Sequence, residues 1–177
     1  PYWMVPADSK PVLFASYFYG SLLLFGGVAG IWLGGVLADR FGKANKAAYA
    51  VVPAAAFLLT IPFYVFGMLS SSLALTFVLF LVPTALSLVW LGPVIAAFQH
   101  LAPPNMRATA SAVFLFVNNL IGIGLGNLAI GALSDAMTAR FGDEALRYAI
   151  LSGAGFYVIA AGLMFLAARW LEQDWEA

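Results

Sequence analysis

The chain has 177 residues, of which 63% are hydrophobic and 9% are charged, and its formal net charge at pH 7 is zero. Soluble domains carry about 25% charged residues, so this composition excludes a soluble globular domain and predicts an all-α, polytopic transmembrane bundle. The balanced charge argues against nucleic acid as a partner. The lack of cysteine excludes disulfides, thiolate metal sites and cysteine nucleophiles.

The charged residues cluster, and the stretches between the clusters predict the membrane crossings. A helix needs about 20 apolar residues to cross the hydrocarbon core. The longest uncharged stretch, residues 47–99, has room for two crossings joined by a turn at residues 70–72, which are all serine. Because lipid tolerates no open sheet edge, we expect helices and no strands. A half-domain of residues 1–177 is predicted with five spans, at residues 12–38, 48–69, 74–99, 107–133 and 148–170.

Lysine and arginine set the predicted orientation, because cytoplasmic loops are enriched in them. With the loop after the first span in the cytoplasm, most of these residues lie inside: Arg40, Lys43, Lys46, Arg107 and Arg169. Fewer lie outside: Lys10, Arg140 and Arg147. The C-terminus is therefore expected in the cytoplasm of a multi-pass protein of the cell membrane, with Trp170 and Trp175 as interfacial anchors. Richness in Ala, Gly and Leu favours a bacterial inner membrane.

A charged motif ends the first span. Residues 35–43 read Gly-Val-Leu-Ala-Asp-Arg-Phe-Gly-Lys and fit the pattern G-x-x-x-D-R-x-G-[RK]. This pattern resembles the loop signature of the major facilitator superfamily of transporters, in which the loop latches two halves in one state and releases them in the other. The resemblance implies a gating role for Gly35, Asp39, Arg40, Gly42 and Lys43, together with Arg107 of a later loop.

Each residue of the motif has a physical reason to be there. Gly35 is expected to let a neighbouring helix approach, and Gly42 to allow the turn between spans. Asp39 is expected to accept amides at the N-terminus of another helix, while Arg40 and Lys43 hold the loop on the cytoplasmic side. The alternative is that Asp39 and the cations act only as interfacial topology signals.

The third and fourth spans supply the predicted substrate surface. Polar side chains near mid-membrane usually face a bundle interior or water rather than lipid. The candidates at helical spacing are Thr84, Ser87, Trp90, Phe114, Asn118 and Asn119. The asparagines are expected to bind a polar headgroup and the aromatic rings to line a path for an acyl chain. Equally, one asparagine would only tie two helices together.

The loop before the fourth span carries a second motif. Residues 101–112 read L-A-P-P-N-M-R-A-T-A-S-A, and residues 119–126 read N-L-I-G-I-G-L-G. They resemble the Spinster-type branch of the superfamily, in which a LAPP-x-MRA-x-ASA loop leads into an N-L-I-G-x-G-L-G helix. The sequence departs from that branch at Asn127, where proline is expected. The resemblance covers residues 12–170 and implies an amphipathic lipid as the substrate.

An internal repeat relates the first and fourth spans. Residues 26–39 match residues 122–135, and both copies lead to Arg-Phe-Gly, at residues 40–42 and 140–142. The copies are three helices apart, so they should run in opposite directions, as in the inverted repeats of secondary transporters. The chain is then the C-terminal half of a transporter without its first helix, and its partner is the N-terminal half. The alternative is that glycine spacing recurs in any close-packed helix.

Together these features predict a secondary active transporter that works by alternating access on an amphipathic lipid, such as a lysophospholipid or a sphingoid phosphate, with protons as a coupling ion. Catalytic sets, metal-spaced clusters and cofactor motifs are absent from the sequence, so we expect neither an enzyme nor a cofactor. Proton coupling and recognition of headgroup charge are expected in the other half, because the span interiors here are uncharged. Two alternatives stay open: a polar-solute or drug carrier of the same superfamily, and a non-transporting scaffold subunit.

Overall fold

The protein is seen in a computed structural model that describes residues 10–171 and 173–175. These residues form helices and turns without a strand. Four stretches are long and apolar enough to cross a membrane, namely Val12–Gly42, Ala48–Leu69, Leu73–Leu101 and Arg107–Ala167. The last stretch reverses its direction at Gly142, where φ is +53°. The described residues therefore form five successive rods.

The rods are numbered α1 to α5. The first, α1, consists of Pro11–Leu22, a π-helical stretch Leu23–Gly27, and Val28–Gly42; α2 is Ala48–Leu69. The third, α3, consists of Leu73–Leu88 and Leu91–Leu101. The fourth, α4, consists of Arg107–Val117, a π-helical stretch Asn118–Leu125, and Gly126–Phe141. After the turn Gly142–Glu144, α5 consists of Ala145–Gly153 and Gly155–Ala167.

Small residues bring α1 against α3. A Cβ atom on Gly30 would collide with the backbone carbonyl of Ala85, and one on Gly34 with that of Val89. One helical turn earlier, a Cβ on Gly26 would lie 3.0 Å from the carbonyl oxygen of Leu81. The partners advance together along both helices, so α1 and α3 are parallel. Their backbones approach closely because glycine has no side chain, as is common between transmembrane helices.

A proline accompanies a break in α3, whereas the prolines of α2 leave that helix unbroken. The α3 helix is interrupted at Val89 and Trp90, four and three residues before Pro93. Proline has no N–H for the carbonyl four residues earlier, and its ring crowds that carbonyl. The helix α2, in contrast, continues through both Pro53 and Pro62. The break in α3 thus lies at the carbonyl of Val89, which Pro93 leaves without its α-helical donor.

Contacts between successive helices fix their directions. Gln99 of α3 donates a hydrogen bond to Ser111 of α4 at 3.3 Å, and Phe141 of α4 packs on Tyr148 of α5 with ring centroids 4.5 Å apart. Both pairs join residues near a chain reversal, so α3, α4 and α5 alternate in direction. Because α1 is parallel to α3, it runs opposite to α4. The two copies of the internal repeat are therefore inverted.

The π-helical stretches support the same repeat. Leu23–Gly27 in α1 and Asn118–Leu125 in α4 overlap when residues 26–39 are laid over residues 122–135. A π-helical turn is rare, and it occurs mostly where a helix has a functional or packing reason for it. The shared position of two rare features favours a true repeat over a chance recurrence of glycines.

The basic end of the bundle is where α1, α3 and α5 finish and α2 and α4 begin. Here Trp175 packs between three side chains: its ring stacks on His100 at 4.6 Å, lies 4.9 Å from the Tyr49 ring, and takes Lys46 Nζ at 5.3 Å. The Nδ1 atom of His100 is buried without a hydrogen-bond partner among the described residues. Trp175 is thus turned inwards, whereas Trp170 is half exposed, as an interfacial anchor should be.

Candidate functional site

A cavity of about 260 Å³ lies between α1, α2, α3 and α5, in the half of the bundle nearer the serine turn. Its polar wall consists of hydroxyl side chains only: Tyr19, Thr60, Tyr64, Thr84, Ser87 and Tyr157. The remaining wall is apolar and includes Phe80 and Pro83. No charged residue lines this cavity. A mostly apolar pocket with a few convergent polar groups is typical of a small-molecule site.

The aliphatic hydroxyls of the cavity use their protons within their own helices. Thr84 Oγ1 donates to the carbonyl of Phe80 at 2.7 Å, Ser87 Oγ donates to that of Thr84 at 3.0 Å, and Thr60 Oγ1 donates to that of Ala56 at 2.8 Å. Each hydroxyl oxygen keeps lone pairs that can accept a further hydrogen bond. These three groups therefore act toward a ligand as acceptors.

The predicted substrate surface is divided between two places. Thr84 and Ser87 line the cavity. Trp90 and Phe114 instead meet edge to face between α3 and α4, with ring centroids 6.1 Å apart, and Phe114 also packs on Phe98 at 4.6 Å. Aromatic pairs of this kind stabilise helix contacts by about 0.5–1.5 kcal/mol beyond their buried area. This aromatic seam holds α4 against α3 and stays outside the cavity.

The two asparagines of α4 do not reach the cavity. Asn119 is exposed, and its side-chain amide donates to the carbonyl of Leu115 in the same helix at 2.7 Å. Asn118 is half-buried, with its Oδ1 close to Gly122. Within residues 10–171, neither side chain forms a hydrogen bond to another helix. Their predicted role at a headgroup stays a prediction.

Four of the six hydroxyl residues of the cavity were not predicted from the sequence. Tyr19, Thr60, Tyr64 and Tyr157 come from α1, α2 and α5, whereas the candidates were sought on the third and fourth spans alone. A usable signal was present, because each is a hydroxyl side chain within an otherwise apolar, uncharged run. Such groups are usually turned away from lipid.

The two glycines of the gating motif act differently from the expectation. A Cβ on Gly35 would have nothing within 4 Å, so the missing side chains that admit α3 are those of Gly30 and Gly34. Gly42 ends α1 with an ordinary helical φ, and a Cβ there would collide with the Tyr49 ring. The close contact with Tyr49, rather than a special turn conformation, therefore requires glycine at position 42.

The charged residues of the motif are exposed at the basic end. Asp39, Arg40 and Lys43 all point to the surface, and Asp39 accepts one long hydrogen bond, of 3.4 Å, from the Tyr49 hydroxyl. Arg107 donates from Nε to the carbonyl of Ala102 at 3.4 Å, which ties it to its own loop. None of the four has an ion-pair partner in the part of the chain that the structure describes. Their charges remain available for contacts beyond the described residues.

Comparisons with known proteins agree with this architecture. No protein-family profile matches the chain. A major facilitator efflux pump from Mycolicibacterium smegmatis is 32% identical over 149 residues, which are 84% of this chain and 34% of the pump. Spinster homolog 1 of Xenopus laevis is 29% identical over 186 residues, which cover 97% of this chain and 35% of that protein. The chain thus spans about a third of the length of these relatives.

The solved structures decide the fold. A bacterial homolog of the human lysosomal transporter Spinster, in an inward-facing and unoccupied conformation, superposes with a TM-score of 0.78 at 26% identity, over 89% of this chain and 40% of the other. This chain has the major facilitator fold. The occupied conformation of the same kind of transporter gives a TM-score of 0.76 at 24% identity. The resemblance to the Spinster branch is confirmed, and the chain has the fold of a multi-pass membrane protein.

Proposed function

We propose that this chain is the C-terminal half of a secondary transporter that moves an amphipathic lipid, such as a lysophospholipid or a sphingoid phosphate, by alternating access. The observation that carries the proposal is the uncharged, hydroxyl-lined cavity between α1, α2, α3 and α5. Such a cavity suits the boundary between a polar headgroup and an acyl chain. The resemblance to the Spinster branch, which implies an amphipathic lipid, favours the same substrate class.

The gating motif supports alternating access. In a rocking transporter, two halves must hold together at one membrane face in one state and separate in the other. Asp39, Arg40 and Lys43 are exposed at the end of the bundle where they would contact the N-terminal half. The basic end faces the cytoplasm in this proposal, together with the C-terminus, and the membrane is a bacterial inner membrane. Arg107 lies at the same end and would support this contact.

Proton coupling belongs to the proposal as a property of the whole transporter. Charged residues are absent from the cavity wall, so the group that carries the proton is assigned to the N-terminal half. Transport by the intact protein should therefore respond to a pH gradient, although this half supplies no carboxylate to the cavity.

The test is uptake of a labelled lysophospholipid by proteoliposomes that contain the intact transporter. We expect uptake that a pH gradient accelerates. Indifference to the gradient would remove the proton coupling, and failure to move any lysolipid would remove the lipid substrate.

The gate is tested by Asp39→Asn. Because Asp39 is exposed, the melting temperature should not change, whereas the transport rate should fall by about fivefold or more, which corresponds to a coupling of about 1 kcal/mol. Asp143→Asn, in the exposed turn at the opposite end, is the matched control and should leave both quantities unchanged. Equal rates for the two variants would assign Asp39 to topology alone.

A drug carrier of the same superfamily is the second candidate, because the relative from Mycolicibacterium smegmatis is an efflux pump. The same proteoliposomes distinguish the two functions. Export of a lipophilic dye without uptake of lysolipid would favour the drug carrier. If neither compound moves, the alternative of a non-transporting scaffold subunit gains support.

A further inference from the structure

We propose that the cavity between α1, α2, α3 and α5 is a binding site for a positively charged ammonium group, and that it holds the amine or choline end of an amphipathic substrate. This inference rests on the proposed function for the identity of the substrate. The site itself is defined by side chains of this chain, so its preference for a cation can be tested separately.

Four aromatic residues line the cavity. Tyr19, Tyr64, Phe80 and Tyr157 come from four different helices and line one space, and the rings of Tyr64 and Phe80 meet edge to face with centroids 5.6 Å apart. The face of an aromatic ring carries partial negative charge and attracts a cation within about 6 Å. Cages of aromatic residues are the usual sites for quaternary ammonium ligands.

The aliphatic hydroxyls of the cavity can act only as hydrogen-bond acceptors toward a ligand. Thr60, Thr84 and Ser87 have already given their protons to backbone carbonyls, so they offer lone pairs to the cavity. Lone pairs stabilise an ammonium donor or a weakly hydrated quaternary cation, whereas they repel a phosphate or carboxylate. An anion would also lack a Lys or Arg, because the cavity wall is uncharged.

The cavity is small. Sites for drug-sized ligands occupy about 300–1,000 Å³, whereas this cavity measures about 260 Å³. It therefore suits a headgroup better than a whole lipid. Tyr19 lines the cavity and is 61% exposed, so the rest of the molecule can extend past α1.

An acyl chain is a poorer occupant of the same space. Hydrocarbon would cover the remaining lone pairs of these hydroxyl oxygens without forming a hydrogen bond, which costs free energy because the lone pairs lose their contact with water. Ammonium compensates this cost and hydrocarbon does not. The observations therefore favour the charged end of the substrate.

The first experiment measures binding to the intact transporter in nanodiscs. Choline and its uncharged carbon analogue 3,3-dimethylbutanol have the same shape, and saturation-transfer NMR reports the affinity of each. We expect choline to bind more tightly than the analogue. Loss of one ring in Tyr64→Leu should weaken choline by about 2- to 30-fold, while Tyr64→Phe, which keeps the ring, should stay within about twofold of the wild type.

Two further variants guard against a folding defect. Tyr19→Leu changes an exposed side chain of the cavity and should weaken choline without lowering the melting temperature. Tyr17→Leu changes a tyrosine of the same helix that is 73% exposed and does not line the cavity, so it should change neither quantity. Equal affinity for choline and 3,3-dimethylbutanol, or no loss of choline binding in Tyr19→Leu, would overturn the cation site. The cation site would also be overturned if choline fails to bind because another helix of the intact transporter fills the cavity.

The second experiment separates the site from the proposed function. Lysophosphatidylcholine and lysophosphatidylglycerol with one acyl chain are compared in proteoliposomes, and Tyr64→Leu should slow the choline lipid selectively. If the wild type moves both lipids and Tyr64→Leu slows them equally, lipid transport stands and the cation site falls. If choline binds as expected but no lipid moves, the cation site stands and the proposed substrate falls.

Discussion

Gly34 and Gly35 are neighbours in the sequence but have opposite surroundings. A Cβ on Gly34 would collide with the carbonyl group of Val89, whereas one on Gly35 would meet nothing within 4 Å. The carbonyl of Val89 cannot accept the usual α-helical hydrogen bond from residue 93, because that residue is proline. One glycine is therefore needed for packing and the other is not.

This difference predicts opposite results for two adjacent substitutions. Gly34→Ala should lower the stability of the bundle by about 1–3 kcal/mol, because backbone must move to admit the methyl group. Gly35→Ala should be neutral or stabilising by up to about 1 kcal/mol, because alanine is the better helix former. Thermal unfolding of both variants in detergent measures the difference. Similar melting temperatures would contradict the close approach of α1 and α3.

At the residue scale, sequence reasoning identified types of residue better than their contacts. Thr84 and Ser87 do line a cavity, since polar groups in a lipid-crossing helix avoid the lipid. Asn119 was selected for the same reason, but its amide is satisfied by the carbonyl of Leu115 at 2.7 Å. A bond of this kind within one helix leaves no periodic pattern in the sequence. The roles of Gly34 and Gly42 could not be predicted either, because they depend on which side chain or carbonyl lies opposite.

At the scale of elements, the segment after α5 has a structural role at the basic end. Trp175 joins the start of α2, through Tyr49, to the end of α3, through His100. Leu171 is buried beside Ala50 and Ala97 in the same region. This segment therefore connects α5 to α2 and α3 at the basic end.

We expect Trp175→Leu to loosen this connection. Loss of the stacked His100, the Tyr49 contact and the Lys46 cation–π contact should lower stability by about 1–3 kcal/mol. Trp170→Leu is the matched control, since Trp170 is 49% exposed, and it should have little effect in detergent. Melting temperatures measured side by side provide the comparison. A stable Trp175→Leu variant would show that the segment is only an interfacial anchor.

The extents of the elements could be predicted where charge marks them and not elsewhere. The boundaries of α2 agree with the predicted span, because the serine turn and the basic loop flank it. The helix α4 continues to Phe141, beyond the predicted end at residue 133, and α5 begins at Ala145 rather than 148. Asp135 and Arg140 suggested a loop, but charged residues remain helical where a helix extends past the hydrocarbon. The chain reverses at the turn Gly142–Glu144, where Gly142 has a positive φ.

At the scale of the whole molecule, the inverted repeat identifies one face of α4 that no other described helix covers, although its counterpart on α1 is covered. Gly26 and Gly30 of α1 are covered by α3, whereas a Cβ on Gly122 or Gly126 would meet only atoms of α4 itself. No residue of α4 is buried along its described length. In the proposed half of a transporter, the counterpart of α3 would be a helix that precedes α1. That helix should pack on the glycine face of α4.

Cysteine cross-linking of the full-length transporter can test this packing. A cysteine introduced by G126C should form a disulfide with one of a series of cysteines along the helix that is proposed to precede α1. A cysteine introduced by L128C should not, because Leu128 is 69% exposed on another face, like Trp32 at the equivalent position of α1. Equal cross-linking from both positions, or none from either, would contradict the repeat as a guide to packing.

The orientation of the bundle can be tested on intact cells. In a cysteine-free version of the transporter, the S71C variant should react with a membrane-impermeant maleimide, whereas K43C should react only after the membrane is made permeable. The prediction follows from the excess of Lys and Arg at the basic end. The reverse labelling pattern would place the C-terminus outside the cytoplasm.

The π-helical stretch Leu23–Gly27 has a consequence for the rotation of α1 about its own axis. A π-helical turn holds one residue more than an α-helical turn, and a single residue corresponds to about 100° of rotation. If Leu23–Gly27 relaxed to α-helix, everything beyond it would turn by that angle, and Gly30 and Gly34 would leave the carbonyls of Ala85 and Val89. The π-helical stretch therefore keeps Gly30 and Gly34 turned toward α3. If this stretch changed, the contact between α1 and α3 would change with it.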